Sequence, residues 1–136
     1  MAGELLLDTG ALVGLLDRSQ SVHPACVAFY DTWDGPVVST EAVLTESTHL
    51  LAGIAGGPAA CIDFILRGGI ALVPSSELSL QRCKALLEKY ADLPMDFADA
   101  TLVVLAEELN TDLVFTVDGD FRVYRIRGRK HFRIVP

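Results

Sequence analysis

Leucines at positions 5, 6 and 7 run unbroken into Asp8-Thr9-Gly10, after which Ala11, Leu12, Leu15 and Leu16 recur at helical spacing. An unbroken apolar run suits a strand covered on both faces, so the change of period predicts a strand over 4–7 and a helix capped by Thr9 and running to Asp17. Pro24 fits the first turn of a second helix over 25–33, in which Val27, Phe29, Tyr30 and Trp33 are the larger apolar residues, and Asp34-Gly35-Pro36 ends it. Val37-Val38 reads as a short strand, and Ser39-Thr40 offers caps for a helix over 41–51. The glycines from Gly53 onward and Pro58 break that helix; another follows over 59–67, stopped by Gly68-Gly69, before a strand over 70–73.

Leu78, Leu80, Cys83, Leu86, Leu87 and Tyr90 trace an amphipathic helix, and Leu93-Pro94 interrupts the chain before a helix over 97–109 that Asp96 would cap. Leu113 to Val117 is the clearest later strand, and 132–135 supplies the final one. Strands alternating with helices, with no internal repeat or long linker, predict one α/β domain over 1–136. Its central sheet should be mostly parallel, with 4-5 strands and helices on both faces in three layers. Sites in such sheets lie beyond the carboxyl ends of the strands, where Asp8 and Asp118 fall.

Composition changes this picture little. Hydrophobic residues make up 51% and charged residues 21% of the 136, which excludes a disordered chain. The apolar runs are far shorter than the roughly 20 residues of a membrane span, and Met1-Ala2-Gly3-Glu4 lacks the basic start of a secretory signal, so no membrane partner and a cytoplasmic location are expected. Cys26, Cys61 and Cys83 are odd in number and too widely spaced for a zinc motif; they read as reduced, buried apolar fillers.

Charge changes it more. The net charge is −7, but residues 121–136 hold Arg122, Arg125, Arg127, Arg129, Lys130 and Arg133 with no acid. That segment carries plus 6 and leaves 5 of the 11 basic residues against 18 acids elsewhere, a balance of minus 13. Two readings of the segment stand side by side: an electrostatic footprint for phosphates, or partners for the protein's own carboxylates.

The acids are the candidate chemistry. Asp8 follows a buried strand, where a carboxylate is held by rigid backbone, although a turn before Gly10 would also use an Asp. Glu46 lies mid-helix among Val43, Leu44, Leu50 and Leu51, where an unpaired charge is costly unless it sits at the edge of the apolar stripe. Asp96 suits a cap; Asp99 lies one turn further in, between Ala98 and Ala100, which leave room for close approach. Asp118 and Asp120 flank Gly119 in the manner of a tight turn.

The topology can bring Asp8, Glu46, Asp99 and Asp118 to one end of the sheet. Two unit charges 4 Å apart repel by about 4 kcal/mol at an effective dielectric of 20, so such a cluster calls for a cation. All-oxygen ligation selects magnesium or manganese over zinc.

The segments LLLDTGALVGLLD, TEST, LPMDFADATLVVLAEEL and LVFTVDGDF resemble, in order and spacing, the successive motifs of PIN domains, particularly VapC-type toxins. The resemblance covers nearly the whole chain and implies a PIN-like fold. It implies that Asp8, Glu46, Asp99 and Asp118 are catalytic, metal-binding acids for Mg2+, with Mn2+ as a substitute. Thr116 would help to order the site, with Thr9, Asp96 and Asp120 in support. It further implies a ribonuclease that cuts single-stranded or looped RNA by metal-activated water, a toxin restrained by a VapB-like antitoxin, and a homodimer. Arg122, Arg125, Arg127, Arg129 and Lys130 are the candidate RNA contacts.

Rival readings are weaker. Asp8-Thr9-Gly10 matches the aspartic-protease triplet, but that chemistry needs two such triplets in an almost all-β fold. Glu46-Ser47-Thr48-His49 has the spacing of carboxylate-bridged di-iron bundles, which require two copies, so His49 is expected to pack or to support the site. A catalytically silent PIN-like module that binds RNA or protein is the rival from another class.

Overall fold

The computed structural model describes residues 3–136. Five strands form one parallel sheet: β1 (Leu5–Leu7), β2 (Val37–Ser39), β3 (Ala71–Leu72), β4 (Leu113–Phe115) and β7 (Arg133–Val135), in the spatial order β3-β2-β1-β4-β7. Strand β1 is central, and Leu5, Leu6 and Leu7 are all fully buried. Successive strand residues face opposite sides, so this can be true only of a sheet covered on both faces. The expected three-layer architecture is therefore what forms.

Six helices supply the cover: α1 (Thr9–Leu16), α2 (His23–Thr32), α3 (Glu41–Leu50), α4 (Gly57–Leu66), α5 (Glu77–Lys89) and α6 (Phe97–Leu109). Helix α6 is the most enclosed, buried from Ala98 through Ala106, and packs against α5, α3 and β1. Its limits match the expected ones because both ends are chemically marked: Asp96 Oδ1 accepts from the Asp99 amide at 2.8 Å, and Asn110 closes the helix in the left-handed conformation.

Three expectations are corrected. Asp8, not Thr9, caps α1; its Oδ1 accepts from the Thr9 amide at 2.8 Å, and Thr9 is the first helical residue. The strand expected over 113–117 ends at Phe115, because the chain turns away into the site at Thr116. Between Asp118 and the last strand there is also structure that apolar periodicity did not announce: a single 3-10 turn over Asp120–Arg122, then a small antiparallel hairpin of β5 (Arg125–Ile126) and β6 (Lys130–His131). Its strands are two residues long and alternate with charge, leaving no run long enough to read. The remaining boundaries shift by one or two residues, as helix ends do. All three cysteines are free and buried.

Candidate active site

The site grows from the register of two neighbouring strands. Leu7 pairs with Phe115, so the next residues, Asp8 and Thr116, meet just beyond the sheet. The Asp8 amide donates to the Phe115 carbonyl at 3.0 Å, and Thr116 Oγ1 donates to Asp8 Oδ2 at 2.8 Å. The carboxylate is thus held on one oxygen by its own helix and on the other by β4. Gly10 permits this approach: a Cβ there would stand 2.8 Å from Val117 Cγ2.

Asp99 is delivered by the first turn of α6, with Ala98 and Ala100 buried on either side. One hydroxyl link ties that helix to the sheet, and a second ties β2 to β1 beside it. Thr101 Oγ1 lies 2.8 Å from Thr40 Oγ1 at the end of β2, and Ser39 Oγ donates to the Leu7 carbonyl at 2.7 Å. The buried Tyr124 hydroxyl donates to Asp99 Oδ2 at 2.9 Å. Sequence reasoning missed Tyr124, which no local pattern distinguishes; a lone tyrosine between arginines becomes informative only once α6 and the hairpin are packed together.

Electrostatics tie these acids to the others. Burial pushes the Asp8 carboxyl up to about 7, reinforced by Asp118 and Glu46 and opposed by the bonds from Thr116 and Thr9. Burial likewise pushes Asp99 up to about 7, helped by Asp96 and Asp8 and opposed by Tyr124. Glu46, half-buried on α3, is raised first by burial and then by Asp96 and Asp118, with the neighbouring Thr9 hydroxyl acting the other way. Asp120 is raised by burial, Asp118 and Asp96. Asp118 lies exposed on the turn after β4, where its Oδ1 accepts from the Asp120 amide at 2.9 Å.

The acids singled out by sequence therefore share one rim of the sheet. The salt bridges among the described residues involve only Glu107 and Asp112 on the acidic side, so no basic side chain neutralises the rim. Nor, among the described residues, do three of the carboxylates close into a finished metal cage. The donor set nonetheless suits a hard divalent cation: it is all oxygen and mutually repulsive, with Asp8 and Asp99 each raised by a neighbouring carboxylate as well as by burial. Asp8, Asp99, Asp118 and Glu46 are the side chains that could hold such an ion. His49 is exposed rather than packed, along a groove shared with Glu46, Asp96 and Phe97.

The basic C-terminal segment resolves unevenly. Lys130 and Arg133 both pair with Asp112, at 3.2 and 2.8 Å. The Arg127 guanidinium donates to the Glu107 and Asn110 oxygens, and that of Arg125 to the carbonyls of Arg122, Val123 and Tyr124. Four of the six cations thus have hydrogen-bond or ion-pair partners within the protein. Arg122 and Arg129 are exposed and have no side-chain partner among the described residues.

Comparison with known proteins settles the family. The PIN domain model matches residues 5–126. The chain belongs to the PIN-domain family. Among PIN relatives it is 27% identical over 135 residues to Ribonuclease VapC26 of Mycobacterium tuberculosis, an alignment covering 97% of this chain and all of that one. The PIN fold recurs in Mycobacterium tuberculosis VapC20, described as a sarcin-ricin loop cleaving toxin (TM-score 0.79, 17% identity, 85% of this chain and 91% of that one). It recurs in a toxin-antitoxin complex from Klebsiella pneumoniae (TM-score 0.62, 17% identity, 97% and 96% covered). A third match is VapBC2 from Rickettsia felis bound to a promoter DNA fragment (TM-score 0.65, 15% identity, 98% and 99% covered).

Proposed function

We propose that this PIN domain is a magnesium-dependent endoribonuclease, the toxin of a toxin–antitoxin pair. The observation that supports this reading most is the uncompensated acidic rim: Asp8 and Asp99 are buried, raised to about 7, and without a basic partner among the described residues. A fold that needed only stability would bury such carboxylates with a cation of its own.

In this reading Asp8, Asp99 and Asp118 hold the ion, with Glu46 completing the set from α3. Bound magnesium, with manganese as a substitute, would supply charge neutralisation at the phosphoryl group and a more acidic water. Thr116 and Tyr124 hold the two buried carboxylates in place, each on one oxygen, leaving their remaining lone pairs for the ligand. Asp96 caps the helix that presents Asp99, and Asp120 adds negative charge at the rim. RNA is the substrate by similarity to the ribonuclease relative, and a VapB-like antitoxin is the partner by similarity to the toxin–antitoxin assemblies. A homodimer and a cytoplasmic setting accompany that reading; among the described residues no helix is long and apolar enough to cross a membrane.

The test is cleavage of a panel of structured and single-stranded RNAs with magnesium, read as new 5′ ends. Cutting should stop with chelator, return with magnesium or manganese, and disappear in Asp8→Asn and Asp99→Asn while both variants stay folded. Undiminished cleavage in chelator would remove the metal from the reading. A folded protein that binds RNA but never cuts it would leave the silent binding module standing.

A further inference from the structure

Two grooves flank the acidic rim, and they differ in charge. One, lined by Glu41, Glu46, Asp96, His49 and Phe97, carries three acids. The other, of about 400 Å³, is lined by Thr116, Asp118, Gly119 and Arg122 together with Val22 and Ile134. Arg122 is the one cation that lines it.

The turn that follows β4 sets this placement. Asp118 Oδ1 accepts from the Asp120 amide, and the Arg122 amide donates to the Gly119 carbonyl at 3.1 Å, which curls residues 118–122 into a single compact turn. Asp118 and Arg122 therefore lie on the wall of the same groove, four residues apart. Arg122 is exposed and its guanidinium engages no protein acceptor among the described residues, although Asp118 and Asp120 stand in the same turn. Its neighbours Arg125, Arg127, Lys130 and Arg133 are all engaged elsewhere, and Arg129 does not line this groove.

We infer that Arg122 is a substrate-positioning residue: it binds a non-scissile phosphate of a single-stranded RNA and lays the strand along the Thr116–Asp118 groove rather than along the groove that ends at Phe97. This rests on the ribonuclease reading. An acidic rim repels a polyanion everywhere except at bound cations, so a strand that reaches it is drawn to the side where a fixed positive charge lines the approach. A guanidinium fork suits phosphate in both charge and geometry.

The test is binding rather than turnover. A short labelled single-stranded RNA of randomised sequence is titrated, by fluorescence anisotropy with magnesium and a series of potassium concentrations, against Asp99→Asn protein with and without a second change. Arg122→Gln should weaken binding about tenfold and make the slope of log affinity against log salt shallower by about 0.7, one single-strand phosphate contact. Arg122→Lys should keep the slope, and Arg129→Gln should change neither quantity. Melting temperatures of all four should agree. If the parent binds and Arg122→Gln matches it, or if Arg129→Gln has the same effect, the assignment of Arg122 is wrong and the nuclease reading stands. If the parent has no affinity for RNA and the unmodified protein does not cut the same RNA with magnesium, both fall together; if the unmodified protein cuts it, Arg122→Gln should raise the KM for cleavage about tenfold, and an unchanged KM overturns the assignment.

Discussion

Tyr124 donates its hydroxyl to Asp99 Oδ2 across 25 positions of sequence, and both groups are buried. The bond lowers a carboxyl that, even with it in place, burial holds up at about 7. Tyr124→Phe should therefore lift the Asp99 titration further, read by carbon-13 NMR of the metal-free protein. It should also cost about 1 kcal/mol in denaturant unfolding, the usual net worth of a buried hydrogen bond. An unmoved Asp99 resonance would show that the hydroxyl does not set its charge.

The metal-free protein should lose stability as pH rises from about 4 to 7. Asp8 and Asp99 titrate near 7 when folded and near 3.9 when unfolded, so within that window the native state holds protons that the unfolded chain has released. Below about pH 4 the sign reverses. Asp17, Glu107 and Asp112 are held low by their hydrogen bonds and ion pairs, and their contribution is lost as pH falls through their folded values. Melting curves in chelator across this range check the shape; a profile flat between pH 5 and 7 would contradict it.

Magnesium should reverse the loss at pH 8. With the ion at 100 times its dissociation constant, linkage gives about 2.7 kcal/mol of stabilisation. Asp8→Asn should raise the melting temperature of the chelated protein, because it removes a repelling charge from a buried place, and should abolish the response to magnesium. Calorimetry with magnesium on both proteins separates the two effects. A variant that binds the ion as the parent does would take Asp8 out of the ligand set.

Glu107 offers a control away from the rim. Its carboxylate takes a two-pronged bond from Arg82, at 2.8 and 3.0 Å, and a further bond from the Arg127 amide at 2.7 Å, fastening the hairpin to α6. Glu107→Gln leaves part of this array unsatisfied and should cost about 1–3 kcal/mol by urea unfolding. Magnesium affinity should stay within twofold; a large loss would mean that the hairpin reaches the rim more directly than its contacts indicate.

The sequence declared some of this openly. Leu5 to Leu7 and the helix over 97–109 were legible because each combines an unmistakable apolar pattern with a chemical end marker, Asp8 in one case and Asp96 in the other. The convergence of Asp8 with Asp118 followed from their places after neighbouring strands. Tyr124 stayed hidden because its meaning is wholly tertiary. The division of the arginines stayed hidden too: charge counting sees six cations, whereas only packing against Glu107 and Asp112 shows which are already engaged. The cap at Asp8 was misassigned to Thr9 because both residue types cap helices and only backbone angles separate them.

The central place of β1 also bears on when the rim can exist. Asp8 follows β1 directly, yet the strand that leads to its partner Thr116, β4, begins only at Leu113. Thr116 lies 108 positions further along the chain, so a growing polypeptide cannot complete the acidic rim until β4 has been made and docked beside β1. A rim built on this plan stays incomplete through the synthesis of every element between β1 and β4.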